Sequence, residues 1–136
     1  YPVDENDLSG LHAAKMLGTE PDRVFKTLVA KGEKRGYLVF CIPVAEELDL
    51  KKAARAAGDK RVELLPLKEL LPVTGYMRGG CSPIGMKKHF PTYIEETAAL
   101  FDSIYISAGK RGVQLIVSTE ALMRFLPAQA ADLIQE

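Results

Sequence analysis

The apolar positions fall into short runs separated by polar breaks. The clearest run is "YLVFCIPV", residues 37–44, which is apolar at almost every position. A strand of that kind is expected to be buried on both faces. The turn "GEKRG" precedes it, and before that lies "RVFKTLVAKG", rich in Val, Phe, Thr and Leu. Together these segments predict a β-hairpin. Alternation along the first strand puts Val24, Lys26 and Leu28 on one face and Phe25, Thr27 and Val29 on the other.

Helical periodicity appears in "DLSGLHAAKMLG", Asp7 to Gly18, where Leu8, Leu11, Ala14 and Leu17 form a stripe that Gly18 ends. Asp49 suits the start of a helix through "DLKKAARAAG", and Gly58 suits its end. "VELLPLKELLPVTG" reads as a short strand and a short helix broken by Pro66 and Pro72. A strand is expected around Phe90 to Ile94. A second hairpin follows, with strands Ser103–Ser107 and Val113–Ser118 around the loop "AGKRG". Thr119 can cap a last helix, "EALMRFL", which stops at Pro127.

That is about six strands and four or five short helices in mixed order, without strict βαβ alternation. The fold class expected is mixed α/β, a strongly curved sheet with helices packed around it. No linker or repeat divides the 136 residues, so they read as one domain, residues 1–136. The chain starts at Tyr1 rather than Met, and a short preceding segment is expected.

Charge changes the picture little. Lys plus Arg number 18 and Asp plus Glu number 18, which argues against a protein that coats nucleic acid by bulk charge. Lys87 with Lys88, Lys110 with Arg111, and Lys31 with Lys34 and Arg35 are local basic groups that read as solvated turns. Cys41 and Cys81 make no Cys-x-x-Cys pair and read as free thiols, which suits the cytoplasm. No apolar run is long enough to span a membrane.

The two histidines, His12 and His89, lack acidic or cysteine partners at ligand spacing, so no metal site is expected. "GCSPIGMK", from Gly80 to Lys87, resembles a phosphate-binding loop. It has Met before the Lys, no Ser or Thr after it, and no helix to follow. Cys41 reads as core, and Cys81 as a packing residue at least as readily as a reactive one. Lys26 is the odd residue of an apolar strand. The pattern alone favours an exposed lysine on a half-solvated strand; the other reading is a partly buried ammonium in a pocket wall, where it can bind a carbonyl or phosphate oxygen. The loops "GGCSPIG" (79–85) and "SAGKRG" (107–112) offer backbone N–H groups with little side-chain obstruction. Pro83 restricts Ser82 to extended geometry. Tight turns need the same glycines, but two such loops beside a lone strand lysine suggest a site.

Four pieces, "RVFKTLVA", "FCIPV" with "ELDLKKAA" after it, "TGYMRGGCSPIGMKKHFPT" and "ISAGKRG", resemble in order and spacing the YbaK/EbsC family of aminoacyl-tRNA deacylases, which is related to the editing domain of prolyl-tRNA synthetases. The resemblance runs from Asp4 to Leu133 and is strongest to the EbsC-like Cys-tRNA(Pro) deacylases. It implies a barrel-like sheet and hydrolysis of the ester joining a wrong amino acid to tRNA(Pro). Such a second sieve is needed because a proline pocket rejects smaller residues weakly. By resemblance Lys26 is the functional strand lysine and Thr27 follows it. Gly79, Gly80, Cys81, Ser82 and Pro83 form the loop whose backbone faces the ester, and Ser107, Ala108 and Gly109 form the second loop. No cofactor is implied. The partners implied are the aminoacylated 3′ end of tRNA(Pro) and a prolyl-tRNA synthetase in a ternary complex. An Ala-tRNA(Pro) deacylase and a non-catalytic binding module are the alternatives. Where some relatives carry an acidic residue and an aromatic one, this chain has Gln114 and Ser9.

Overall fold

The computed structural model describes residues 10–76, 81–86, 90–109 and 112–136. Expectations placed on Asp7, Leu8, Ser9, Gly79, Gly80, Lys87, Lys88, His89, Lys110 and Arg111 concern residues outside that set. The elements are α1 (Gly10–Leu17), β1 (Phe25–Gly32), β2 (Gly36–Pro43), α2 (Leu50–Ala57), β3 (Val62–Leu64), α3 (Leu67–Thr74), β4 (Thr92–Glu95), β5 (Ser103–Ser107), β6 (Gln114–Ser118), α4 (Thr119–Phe125) and β7 (Gln129–Ala131), with 3-10 turns at Pro21–Arg23 and Glu96–Leu100.

Five strands form one mixed sheet in the order β3-β1-β2-β4-β7. β1 and β2 are the predicted antiparallel hairpin, with Lys26 opposite Ile42 and Thr27 opposite Cys41. β4 runs parallel to β2, and β7 parallel to β4. β2 therefore lies inside the sheet, and Leu38 to Ile42 are all buried, as its unbroken apolar run predicts. Its even-numbered residues Leu38, Phe40 and Ile42 join Leu28 and Ala30 against α2, Leu48 and Leu133. Its odd-numbered residues Val39 and Cys41 join Phe25 and Ile94 against Ile104, Ile106, Leu122 and Leu126.

β5 and β6 form a separate antiparallel hairpin, the second one predicted. It attaches to the outer edge of β1. β3 occupies that edge only from Ala30 to Gly32, while Tyr105 of β5 bridges Val24 in parallel. Arg23 holds the junction. Its guanidinium donates to the Ser103 carbonyl (3.3 Å) and hydroxyl (2.9 Å) and lies over the Phe101 and Tyr105 rings. The mixed α/β class is found, but the sheet does not close into a barrel among the described residues. β3 and β7 are its two ends, and β5 and β6 form a separate two-stranded sheet.

Several local expectations shift. Asp49 caps α2 by accepting from the Lys51 and Lys52 N–H groups, and Gly58 ends it, as expected. Pro66 begins α3 rather than breaking it, and Pro72 lies within it. Pro72 lacks the N–H that would bond the Lys68 carbonyl, so α3 gives up one intrahelical bond there. Ser118, not Thr119, caps α4 by accepting from the Ala121 N–H, while the Thr119 hydroxyl donates to the Phe101 carbonyl. The strand expected around residues 90–94 runs from Thr92 to Glu95, and that expected from Val113 begins at Gln114. β7 was not anticipated, since "QAA" has no strand propensity and forms by pairing on β4.

Candidate functional site

Lys26 is half-buried near the start of β1. Its partial burial matches the second of the two sequence readings rather than the exposed one, although Lys26 does not line the cavity described below. The parallel bridge Val24–Tyr105 sets the neighbouring chain: Lys26 and Ser107 each lie two residues beyond it, in β1 and β5. Val24 and Tyr105 pack together with Ala14 and Val44, so alternation gives Lys26 and Ser107 that same face. Ala108 and Gly109 follow, and the Ala108 N–H donates to the Val113 carbonyl at 3.1 Å, which closes the loop. Gln114 lies opposite Ser107 in the hairpin, and its Nε2 donates to the Ser107 hydroxyl at 3.4 Å. The Gln114 Oε1 is buried without a hydrogen-bond partner among the described residues. Gln114 is therefore part of the second loop's surroundings.

Thr27 belongs to the other face of β1. Its hydroxyl makes a 3.8 Å hydrogen bond with the Cys41 thiol. Cys81 lies near enough to Cys41 for their charged forms to repel. Both thiols are free and buried. Burial pushes the Cys41 thiol up to about 12, against a smaller lowering by the Thr27 hydrogen bond. Burial likewise pushes Cys81 up to about 11, against a smaller lowering by a hydrogen bond with Thr74. Neither is a thiolate at neutral pH, so neither is equipped as a nucleophile.

Ser82 is buried, and its hydroxyl accepts from the Ile84 N–H at 3.2 Å, a turn-forming bond. Pro83, Gly85 and Met86 line a cavity of about 210 Å³ that reaches Val39, Phe90 and Thr92. Cys81, Ser82 and Pro83 are all buried, so this part of the loop is packed inside the protein.

The candidate residues fall on two sides of β1. Lys26 and Ser107 follow the Val24–Tyr105 bridge on one, and Thr27 lies with Cys41 on the other. One residue that the sequence reading passed over touches both loops. The Tyr76 hydroxyl donates to the Ile84 carbonyl at 2.6 Å, and its ring lies against Gly109. The available signal was an aromatic hydroxyl three residues ahead of a glycine-rich loop.

The family model described as the aminoacyl-tRNA editing domain matches residues 10–125, and the chain belongs to that family. Within it, the chain is 52% identical over 133 residues to EbsC of Enterococcus faecalis, a proposed Cys-tRNA(Pro)/Cys-tRNA(Cys) deacylase by name; 98% of this chain and 81% of EbsC are covered. It is 26% identical over 113 residues to YwhH of Bacillus subtilis, covering 83% of this chain and 71% of YwhH. A crystal structure described as that of a proposed trans-editing enzyme for prolyl-tRNA synthetase superposes with a TM-score of 0.87 at 27% identity, over 100% of this chain and 85% of that one.

Proposed function

We propose that this protein is a freestanding editing hydrolase that deacylates Cys-tRNA(Pro). Family membership makes it an aminoacyl-tRNA deacylase, an enzyme that hydrolyses a carboxylic ester. The substrate within that class is carried over from the 52% identical relative. The observation that supports the mechanism is the half-buried Lys26 two residues beyond the bridge that brings the strand of Ser107 to β1, with both cysteine thiols held protonated.

In this reading the protein supplies position and a field of donors, and the substrate supplies the attack. The thiol of the bound cysteinyl group adds to its own ester carbonyl. The ester C–O bond then breaks, and the 3′ oxygen of the tRNA leaves with a proton. Water opens the resulting cyclic thioester to free cysteine. A water oriented by the terminal 2′-hydroxyl is the alternative nucleophile and gives the same products. Lys26 holds the substrate backbone or terminal phosphate. The backbone N–H groups of Ser107–Gly109 serve the carbonyl oxygen, and the two glycine loops limit the acyl group by size.

The balance of 18 basic and 18 acidic residues supports weak intrinsic hold on tRNA, with prolyl-tRNA synthetase supplying specificity in a ternary complex. The compartment is then the cytoplasm, and among the described residues no helix is long and apolar enough to cross a membrane.

The test is release of amino acid from Cys-tRNA(Pro) and Ala-tRNA(Pro) side by side, with and without synthetase. Faster cysteine release is expected. Preferential alanine release would reassign the substrate. Release from neither, with tRNA still bound, would leave a binding module in place of an enzyme.

A further inference from the structure

We propose that Tyr76 is a positioning residue that sets the gap between the two glycine loops, and through it the size of acyl group the site admits. The inference rests on the deacylase reading for its functional half, while its structural half stands on geometry alone.

Ser107, Ala108 and Gly109 carry only small side chains, and Cys81, Ser82 and Pro83 are buried. A third group must fix their separation, and Tyr76 touches both. Its hydroxyl donates to the Ile84 carbonyl at 2.6 Å, a short bond within the first loop. A Cβ added to Gly85 would lie 3.0 Å from that hydroxyl. On the second loop, a Cβ added to Gly109 would lie 3.0 Å from the Tyr76 Cε1 and 3.8 Å from its Cδ1 and Cζ. Gly85 and Gly109 have φ of +74° and +91°, which L side chains rarely adopt. Glycine at both positions therefore serves close approach of each backbone to one aromatic ring.

The ring is itself anchored. The Tyr76 N–H donates to the Thr74 hydroxyl at 3.0 Å. That hydroxyl donates in turn to the Leu70 carbonyl at 2.7 Å, and Thr74 is buried at the end of α3. A tyrosine has only two side-chain torsions, so a ring held at its backbone and at its hydroxyl has little freedom. Phenylalanine would fill the same space but leave the Ile84 carbonyl without this donor.

The experiment uses Tyr76→Phe, which removes one oxygen and spares the fold. Two readouts are taken. The first is kcat/KM for Cys-tRNA(Pro) and for Pro-tRNA(Pro), whose acyl group is bulkier. Loss of the hydroxyl is expected to raise the proline-to-cysteine ratio about five-fold, the factor one hydrogen bond commands. An unchanged ratio, including an equal fall in both rates, would assign Tyr76 a merely structural role and overturn the proposal. The second readout is amide hydrogen exchange at Gly85 and Gly109. Both are expected to speed up about five-fold or more while β2 amides stay protected. Acceleration at Gly85 alone, or at neither, would refute the strut. Absence of turnover by the wild-type protein would count against the deacylase reading, and the exchange data would still decide whether Tyr76 couples the loops.

Discussion

Replacing Cys81 with alanine should leave deacylation within a few-fold of wild type, because this thiol is not ionised when the enzyme works. Burial pushes it from its ordinary 9.0 up to about 11. At pH 8 the thiolate is then about one molecule in a thousand, against about one in ten for an unshifted thiol. Cys41, at about 12, is ionised about ten-fold less again. Iodoacetamide at pH 8, followed by mass spectrometry, should modify Cys81 at least about a hundred-fold more slowly in the folded protein than in urea. The same shifts fix a stability trend. A thiol raised in the folded state contributes fully below its unfolded value and loses that contribution as pH rises toward the folded one. Stability should thus fall above about pH 9, by about 1.4 kcal/mol per thiol at pH 10. Rapid alkylation of Cys81 in the folded protein, or an inactive but folded Cys81→Ala, would refute the reasoning and return a cysteine nucleophile to consideration.

Two further perturbations test the frame that holds the site. Glu95 is buried and accepts from the Thr97 N–H at 2.8 Å and the Leu133 N–H at 2.9 Å, which ties the C-terminal segment to β4. Glu95→Ala strands a buried donor and should cost about 2–5 kcal/mol in urea unfolding; a loss below about 0.5 would show that those bonds are replaced by water. Asp59 caps the β1–β2 turn. Partial burial raises its pKa, but hydrogen bonds from the Arg35, Lys34, Lys60 and Arg61 N–H groups outweigh it and hold the carboxyl below its usual range. A carboxyl lowered in the folded state contributes above its unfolded value, near 3.8, and that contribution is lost as pH falls through the folded value. Asp59→Asn should therefore flatten the acid limb of the stability curve below about pH 4, as read by thermal melts; an unchanged limb would remove Asp59 from that account.

What the sequence made legible follows from how local each cause is. The hairpin of β1 and β2 rests on turn residues and period-2 alternation, both visible in the chain. The Asp49 cap and the Gly58 stop of α2 are equally local. β7 was hidden because three small residues become a strand only when β4 offers an edge. Alternation already put Lys26 and Thr27 on opposite faces, and that held. What stands beside Lys26 was not readable from pattern, since it depends on Arg23 and Val24 meeting Ser103 and Tyr105 some 80 residues away. The glycine loops announced themselves by composition, and the family resemblance joined them to Lys26. Tyr76 did not stand out, because its importance lies in touching two loops that are distant in sequence.

The most direct test of the central claim is single-turnover release of cysteine from Cys-tRNA(Pro) by wild type and Lys26→Ala, with folding checked by circular dichroism. Lys26 lies at the strand edge rather than in either large core, so the variant should fold. The account predicts release by wild type and a loss of about a hundred-fold or more in the variant, the scale on which a single positioned donor acts. Equal release by both folded proteins would contradict it and move the chemistry away from the β1 lysine.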